Sequence, residues 1–341
     1  CIRDRNMVNG MILITGGSGF IGTNLQELFI ALGYSFVNFD KNEPTKKDHL
    51  QYWFKGDIMN LSDLSIVFSK YSPSVVIHLA AVTDTASDNL DDYKENTIGT
   101  KNVIDEILKH PNLERCIITS TQYVYKSLKK PFPSSDEEYV PHTTYGISKK
   151  ETEEIVRNSP LECCWTIVRP TNVWGPWHMR YPEQLWKFMD KGWYIHPTKR
   201  SVIRTYAYVK NLTHQLNGIL NAKPDIVNKQ TFYLGDLPVD SNIWLSEWML
   251  QLKGQKLRYI FPFVMRSAAI IGDILRKMGI KFPMYSVRYK NMLEDYYAPT
   301  NVTIRLFGLY NNDLTSNVKE TIGWLHRDAK LYFDYWKFRS K

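Results

Sequence analysis

Short runs of aliphatic and β-branched residues recur along the first half of the chain, each bounded by polar or glycine-rich stretches. MILIT (11–15), YSFVNFD (34–40), SVVIHLAA (74–81), RCIITST (115–121) and CCWTIVRPTNV (163–173) read as strands. FIGTNLQELFIALG (20–33), LSDLSIVFSKY (61–71) and LDDYKENTIGTKNVIDEILKH (90–110) carry helical spacing between them, and Gly33 is placed to close the first helix. Continuously apolar strands alternating with helices predict an α/β fold, a doubly wound parallel sheet covered on both faces. Such sheets place ligands at the carboxyl ends of their strands. Beyond about residue 175 the pattern loosens, and aromatic, proline and basic residues become frequent. TFYLGD (231–236) reads as one strand returning to the sheet.

The first strand runs directly into TGGSGFIG (15–22), which spaces Gly16, Gly19 and Gly22 as GxxGxxG between a strand and a helix. The first glycine permits a sharp turn, the second a close approach of backbone amides to a pyrophosphate, the third tight helix–strand packing. The helix start at Phe20 and Ile21 then directs its partial positive charge at the phosphates. Asp40 ends the next strand, eighteen residues past Gly22, where a carboxylate accepts from a ribose 2′-OH and repels a 2′-phosphate. NAD is therefore expected over NADP, although Lys41 beside it works against that preference. The expected fold becomes Rossmann-type. It comprises a dinucleotide-binding domain over 11–175, with a returning strand near 231–236, and a smaller C-terminal substrate-binding lobe, mainly 176–341, interleaved with it.

Length and composition narrow the classes. The chain has 341 residues, 43% of them hydrophobic, enough for one large or two medium folded domains. A net charge of +8 is dilute over this length and suits an anionic small substrate or surface. Zinc-finger spacing and long basic blocks are lacking, so nucleic acid is not expected as a partner. The cysteines, at 1, 116, 163 and 164, form no CxxC pair, so no metal site is expected and free thiols in a reducing compartment are. The charged start CIRDRNMVNG lacks a signal-peptide core and reads as a leader ahead of Met11. No apolar stretch reaches spanning length. A cytoplasmic protein without a spanning segment is expected. FPFVMRSAAIIGDIL (261–275), interrupted by Arg266 and Asp273, reads as an amphipathic helix packed into the core.

TTYGISKKE (143–151) sets Tyr145 four residues before Lys149, on one helix face. An ammonium beside a phenol favours the phenolate. Bringing a tyrosine from about 10 to near 7 takes roughly 4 kcal/mol, which Lys149 and a nicotinamide cation can share.

With these residues in place the chain resembles the extended short-chain dehydrogenase/reductase family, in its epimerase/dehydratase branch. The resemblance runs from about 11 to 325. It rests on TGGSGFIG, Asp40, GDI (56–58), HLAA (78–81), Asn96 in ENTIGT, TSTQYVY (119–125), YGISK and RPTNVWGP (169–176). It implies that Tyr145 is the acid/base, that Lys149 binds the nicotinamide ribose and lowers the tyrosine pKa, and that Thr121 bonds the reacting oxygen. It further implies cofactor contacts from Asp57, Ile58, Leu79, Ala80, Ala81, Asn96 and Pro170. Thr83, Thr121, Asn172 and Arg204 are implied on the substrate side, Arg204 as a diphosphate ligand. A nucleotide sugar is the implied substrate and a homodimer the expected assembly.

The loop TSTQYVY limits the chemistry. Nucleotide-sugar 4,6-dehydratases carry an Asp-Glu pair after the threonine, and the fucose-synthase type a cysteine two positions on. Here Gln122 and Tyr123 stand instead. An amide is no carboxylic acid, and a second tyrosine needs its own activation, so the loop argues against dehydration and against double epimerisation. His178 stands one residue out of register with the latter group's general acid. Other departures are VYK at 124–126, Lys210 where an aspartate is usual, and a segment over 255–300 resembling 3β-hydroxysteroid dehydrogenases. The reading is an NAD-dependent nucleotide-sugar epimerase or oxidoreductase. A steroid-type dehydrogenase and a non-catalytic NAD-binding subunit are the alternatives.

Overall fold

The computed structural model describes residues 10–328 apart from 86, 128, 180–184, 281 and 283. The supposed leader, save Gly10, lies outside the described residues, as does Cys1. The chain divides into two compact units. The first comprises the described residues of Cys1–Val173, Ala207–Asp236 and Ala298–Asn311, the second those of Trp174–Tyr206, Leu237–Tyr297 and Asn312–Lys341.

The first unit holds a seven-stranded Rossmann-type sheet. Its strands are β1 (Ile12–Thr15), β2 (Phe36–Asp40), β3 (Trp53–Lys55), β4 (Val75–His78), β5 (Arg115–Thr119), β6 (Cys164–Pro170) and β7 (Gln230–Leu234). They lie in the order β7-β6-β5-β4-β1-β2-β3, and every neighbouring pair is parallel. Alternate residues face opposite sides, so Leu13, Val76 and Ile118 enter one core layer while Ile14, Ile77 and Ile117 enter the other. Burial on both faces is why these strands read as unbroken apolar runs. β3 escapes the pattern because it is a three-residue edge strand with partly exposed side chains.

Helix α1 (Phe20–Leu32) ends where expected: Gly33 is left-handed at φ 73°, and its amide donates to Ile30 O at 3.2 Å. Helix α2 (Leu61–Tyr71) is capped by the Asn60 side chain. The single helix expected over 90–110 is instead a 3₁₀ turn (Leu90–Tyr93), a π-helical turn (Glu95–Gly99) and α3 (Thr100–Ile107). The strands expected to reach 121 and 173 stop at Thr119 and Pro170; the first runs into a loop, and beyond the second Asn172–Trp174 form a short strand outside the main sheet.

Helix α4 (Thr144–Arg157) is tied to β6 by a buried ion pair. Arg169 donates to both carboxylate oxygens of Glu153, at 2.8 and 2.7 Å, and also to Tyr233 Oη (2.9 Å) and Asp136 O (2.5 Å). Burial opposes the arginine's charge, but these partners hold it firmly protonated. Arg169→Met should therefore lower unfolding stability by ~3–5 kcal/mol, since it takes from the buried Glu153 carboxylate its two charged hydrogen bonds, whereas Arg169→Met with Glu153→Leu should recover most of it. Urea unfolding of both variants checks this; equal losses would refute it.

Candidate active site

The glycine turn after β1 is shaped by contacts that no larger residue permits. Gly16 is left-handed (φ 72°), and a Cβ there would stand 2.5 Å from Ala80 Cα. A Cβ at Gly22 would meet Gly17 Cα at 2.5 Å, so α1 sits directly on the turn. Gly19 is different: a Cβ would reach only Gly16 O, at 3.3 Å, and the residue caps α1 without a side chain. The amides of Phe20, Ile21 and Gly22 precede the first intrahelical bond, Thr23 N to Gly19 O (2.8 Å), and no acid stands in the first turn. This cradle suits a pyrophosphate.

Asp40 closes β2. Ser18 N donates to its Oδ2 (3.0 Å) and Asn42 N to its Oδ1 (2.8 Å), fixing the carboxylate beside the glycine turn. Burial raises its pKa, partly countered by those two amides. Lys41, the residue expected to weaken an NAD preference, is drawn to Glu95 (3.2 Å) and lies 3.9 Å from Asp57. Asp57 accepts from Met59 N (3.0 Å), and Ile58 is buried with its carbonyl bonded to Asn102 Nδ2 (3.0 Å). Leu79, Ala80, Ala81 and Thr83 follow β4, Pro170 ends β6 and Asn172 follows it, all at the carboxyl edge. Buried Thr119 Oγ1, Ser120 Oγ and Thr171 Oγ1 find no hydrogen-bond partner among the described residues. Polar atoms left unpaired at that edge fit a bound polar ligand.

The catalytic candidates converge on α4. Thr143 caps it, accepting from Gly146 N at 3.0 Å. Tyr145 is buried, and the loop after β5 packs against it: the Tyr123 ring stands edge-on at 6.1 Å and itself stacks on His142 at 5.2 Å. A Cβ on Gly146 would stand 2.5 Å from Tyr123 O, which explains the glycine in YGISK. Thr121 heads this loop, its hydroxyl accepting from Tyr123 N (3.3 Å). One turn beyond Tyr145, Lys149 is buried and donates from Nζ to Thr119 O (2.7 Å). Burial lowers its pKa to about 8 while Glu153 pulls it up, so the ammonium survives at neutral pH.

The π-helical turn explains Asn96. Its Oδ1 accepts from Val82 N (2.8 Å), and its Nδ2 donates to Val82 O (3.0 Å) and Ser148 Oγ (2.9 Å). It joins the loop after β4 to α4. Sequence reasoning missed His78 as part of this framework. Thr15 Oγ1 lies 2.7 Å from its Nδ1 and Thr100 Oγ1 3.1 Å from its Nε2, and Thr100 donates onward to Asn96 O (2.8 Å). Burial drives its pKa down to about 3, so it is a neutral link.

Arg204 is the one predicted site residue in the second unit, where its Nη2 donates to Glu294 O (3.2 Å). Half-buried Tyr194 and buried His196 feel its charge, and Tyr194 that of Arg288 too; no sequence signal marked Arg288.

The NAD dependent epimerase/dehydratase family matches residues 12–222, more than half the chain. The chain belongs to this family. Among its relatives is a UDP-glucose 4-epimerase of Vibrio cholerae, 31% identical over 95% of this chain and 93% of that protein. Another is the N-acetyl-alpha-D-glucosaminyl-diphospho-ditrans,octacis-undecaprenol 4-epimerase of Escherichia coli O157:H7, 28% identical over 83% and 85%. The fold is similar to that of UDP-glucuronic acid 4-epimerase from Bacillus cereus solved with UDP-glucuronic acid and NAD (TM-score 0.70, 20% identity, 93% and 99% covered). Like other members of the epimerase/dehydratase family, the protein uses NAD. If Asp40 sets that preference, calorimetry should show NAD bound over NADP by the wild type, and Asp40→Ala should erase the difference. A preference untouched by the substitution would remove Asp40 from the explanation.

Proposed function

We propose that the protein is a nucleotide-sugar 4-epimerase or 4-hydroxy/4-keto oxidoreductase working through Thr121, Tyr145 and Lys149, and not a 4,6-dehydratase. The observation that carries this reading is the loop after β5. Tyr123 sits edge-on to Tyr145 and Gln122 is buried, where dehydration calls for a carboxylic acid and a carboxylate.

NAD supplies the hydride acceptor and donor. Tyr145 takes the proton of a sugar hydroxyl as the adjacent C–H bond gives up its hydride, and returns a proton when hydride comes back. Thr121 holds the oxygen through both steps. Lys149, charged and anchored on Thr119 O, favours the phenolate and is placed for the nicotinamide ribose. Asn96, whose side-chain atoms are spent on Val82 and Ser148, acts by positioning rather than by contact. The glycine turn, Asp57, Ile58 and the residues from Leu79 to Ala81 serve the rest of the cofactor, with Pro170 beside them. Thr83, Asn172 and Arg204 face the substrate in this reading. Arg204, with Arg288 acting on the same half-buried tyrosine, suits a diphosphate.

Tyr145→Phe should keep the fold and NAD binding and lose more than about a hundredfold in turnover. Mass spectrometry of the wild-type reaction should return a product of unchanged mass or one differing by two hydrogens. Near-normal turnover by the variant, or a product lighter by one water, would overturn the proposal.

Arg204→Ala should raise the apparent KM for a nucleotide sugar far more than it lowers kcat, because a contact distant from the reacting carbon contributes uniform binding. An unchanged KM would point to an uncharged substrate and favour the steroid-type reading.

A further inference from the structure

The segment over 254–293, in the second unit, does not behave as the sequence pattern led one to expect. The helix Pro262–Lys277 was expected to pack its apolar side into the core. It does the reverse. The buried residues on it are Ala269 and Gly272, and a Cβ on Gly272 would collide with Met284 O. Polar contacts complete that inner face: Ser286 N donates to Asp273 Oδ1 (3.1 Å), and the Arg276 guanidinium lies 4.0 Å from the Tyr285 ring centre. The large apolar side chains point outward. Phe263, Ile270, Ile274 and Met278 are 69%, 51%, 56% and 68% exposed, and Ile271 beside them 53%. Their spacing (i, i+7, i+11, i+15) puts them on one stripe of the helix. Exposed Phe261, just before the helix, stacks on the Phe263 ring with centroids 6.0 Å apart.

Charge accompanies the stripe. Arg266 and Lys277, by the same helical spacing, flank Ile270 and Ile274. Residues 254–293 hold eight lysines and arginines against a single acid, Asp273, so almost all of the chain's net +8 is concentrated here. No helix among the described residues is long and apolar enough to cross a membrane. A 16-residue helix with a bulky apolar stripe bordered by cations instead has the form that lies flat in a lipid interface.

We propose that this helix docks the protein on an anionic membrane surface. Phe263, Ile270, Ile274 and Met278 enter the acyl boundary, and Arg266, Lys277 and the surrounding basic residues meet acidic headgroups. Each part answers a different term of the binding: the stripe supplies area-dependent burial, and the cations supply attraction that salt screens. A second copy fits less well. An isologous pairing would set this basic segment against its own copy, opposing like charges with only Asp273 to offset them. The inference is independent of which sugar or nucleotide the active site accepts, because it rests on this helix and the basic segment around it.

The test is flotation of the full chain with vesicles of phosphatidylcholine, either pure or with about one-third phosphatidylglycerol. The protein should float with the anionic vesicles at least about tenfold better than with the neutral ones, and less well in high salt. Phe263→Asp with Ile274→Asp should cut binding to anionic vesicles about tenfold or more. Arg266→Glu with Lys277→Glu should remove the preference for anionic lipid, and this second pair keeps the test open if the first misfolds. Thermal unfolding followed by circular dichroism should show both pairs folded, since all four side chains lie on the outward face. No flotation of the wild type, or flotation that neither pair reduces, would overturn the proposal. So would a dimer by sedimentation that Phe263→Asp with Ile274→Asp dissociates, which would show a second copy on this face.

Discussion

Every strand of the main sheet runs the same way, and the candidate site follows from that constraint. Parallel strands cannot be joined by tight turns, so each returns through a crossover covering one face. All of the carboxyl ends then emerge along one edge. The glycine turn, Asp40, Asp57, Leu79 to Ala81, the loop from Ser120 to Tyr123, and Pro170 are far apart in sequence. The topology alone collects them.

The edge is stiffened by groups that would be costly if left unpaired. Lys149 is buried, yet its ammonium has a carbonyl to donate to and a carboxylate one turn on. That carboxylate, Glu153, is itself held by Arg169 from β6. Helix α4 thus carries the candidate pair Tyr145–Lys149 and the carboxylate half of the ion pair that anchors it to β6. A second network runs from Thr15 through His78 and Thr100 to Asn96, linking the strand before the glycine turn to the helix region that meets Ser148. Both networks are almost fully buried, and in such surroundings a displaced partner leaves a penalty rather than a gap.

The second unit obeys a different logic. Trp186 stacks on Trp248 at 4.8 Å, Trp244 and Trp174 meet Trp248 at 5.7 and 5.5 Å, and Tyr206 stacks on Trp244 at 4.4 Å. Part of the aromatic richness beyond residue 175 is this core. The helix Pro262–Lys277 stands apart from it by presenting large apolar side chains outward and small ones inward.

Local pattern decided a good deal by itself. Burial on both faces writes strands as apolar runs, so six of the seven sheet strands were legible, as were the glycine turn, α1 with its Gly33 cap, and the YxxxK spacing on α4. The unread parts have definite causes. β3 is short and half-exposed at an edge, which leaves no apolar run. The break at Glu95–Gly99 is one π-helical turn inside a sequence of good helical spacing, stabilised by what Asn96 reaches in space. The ion pair of Arg169 with Glu153, the neutral role of His78, and the outward stripe from Phe263 to Met278 have no local signature at all. Periodicity reports that a helix has an apolar side; only the packing of distant segments decides whether that side faces the core or the solvent.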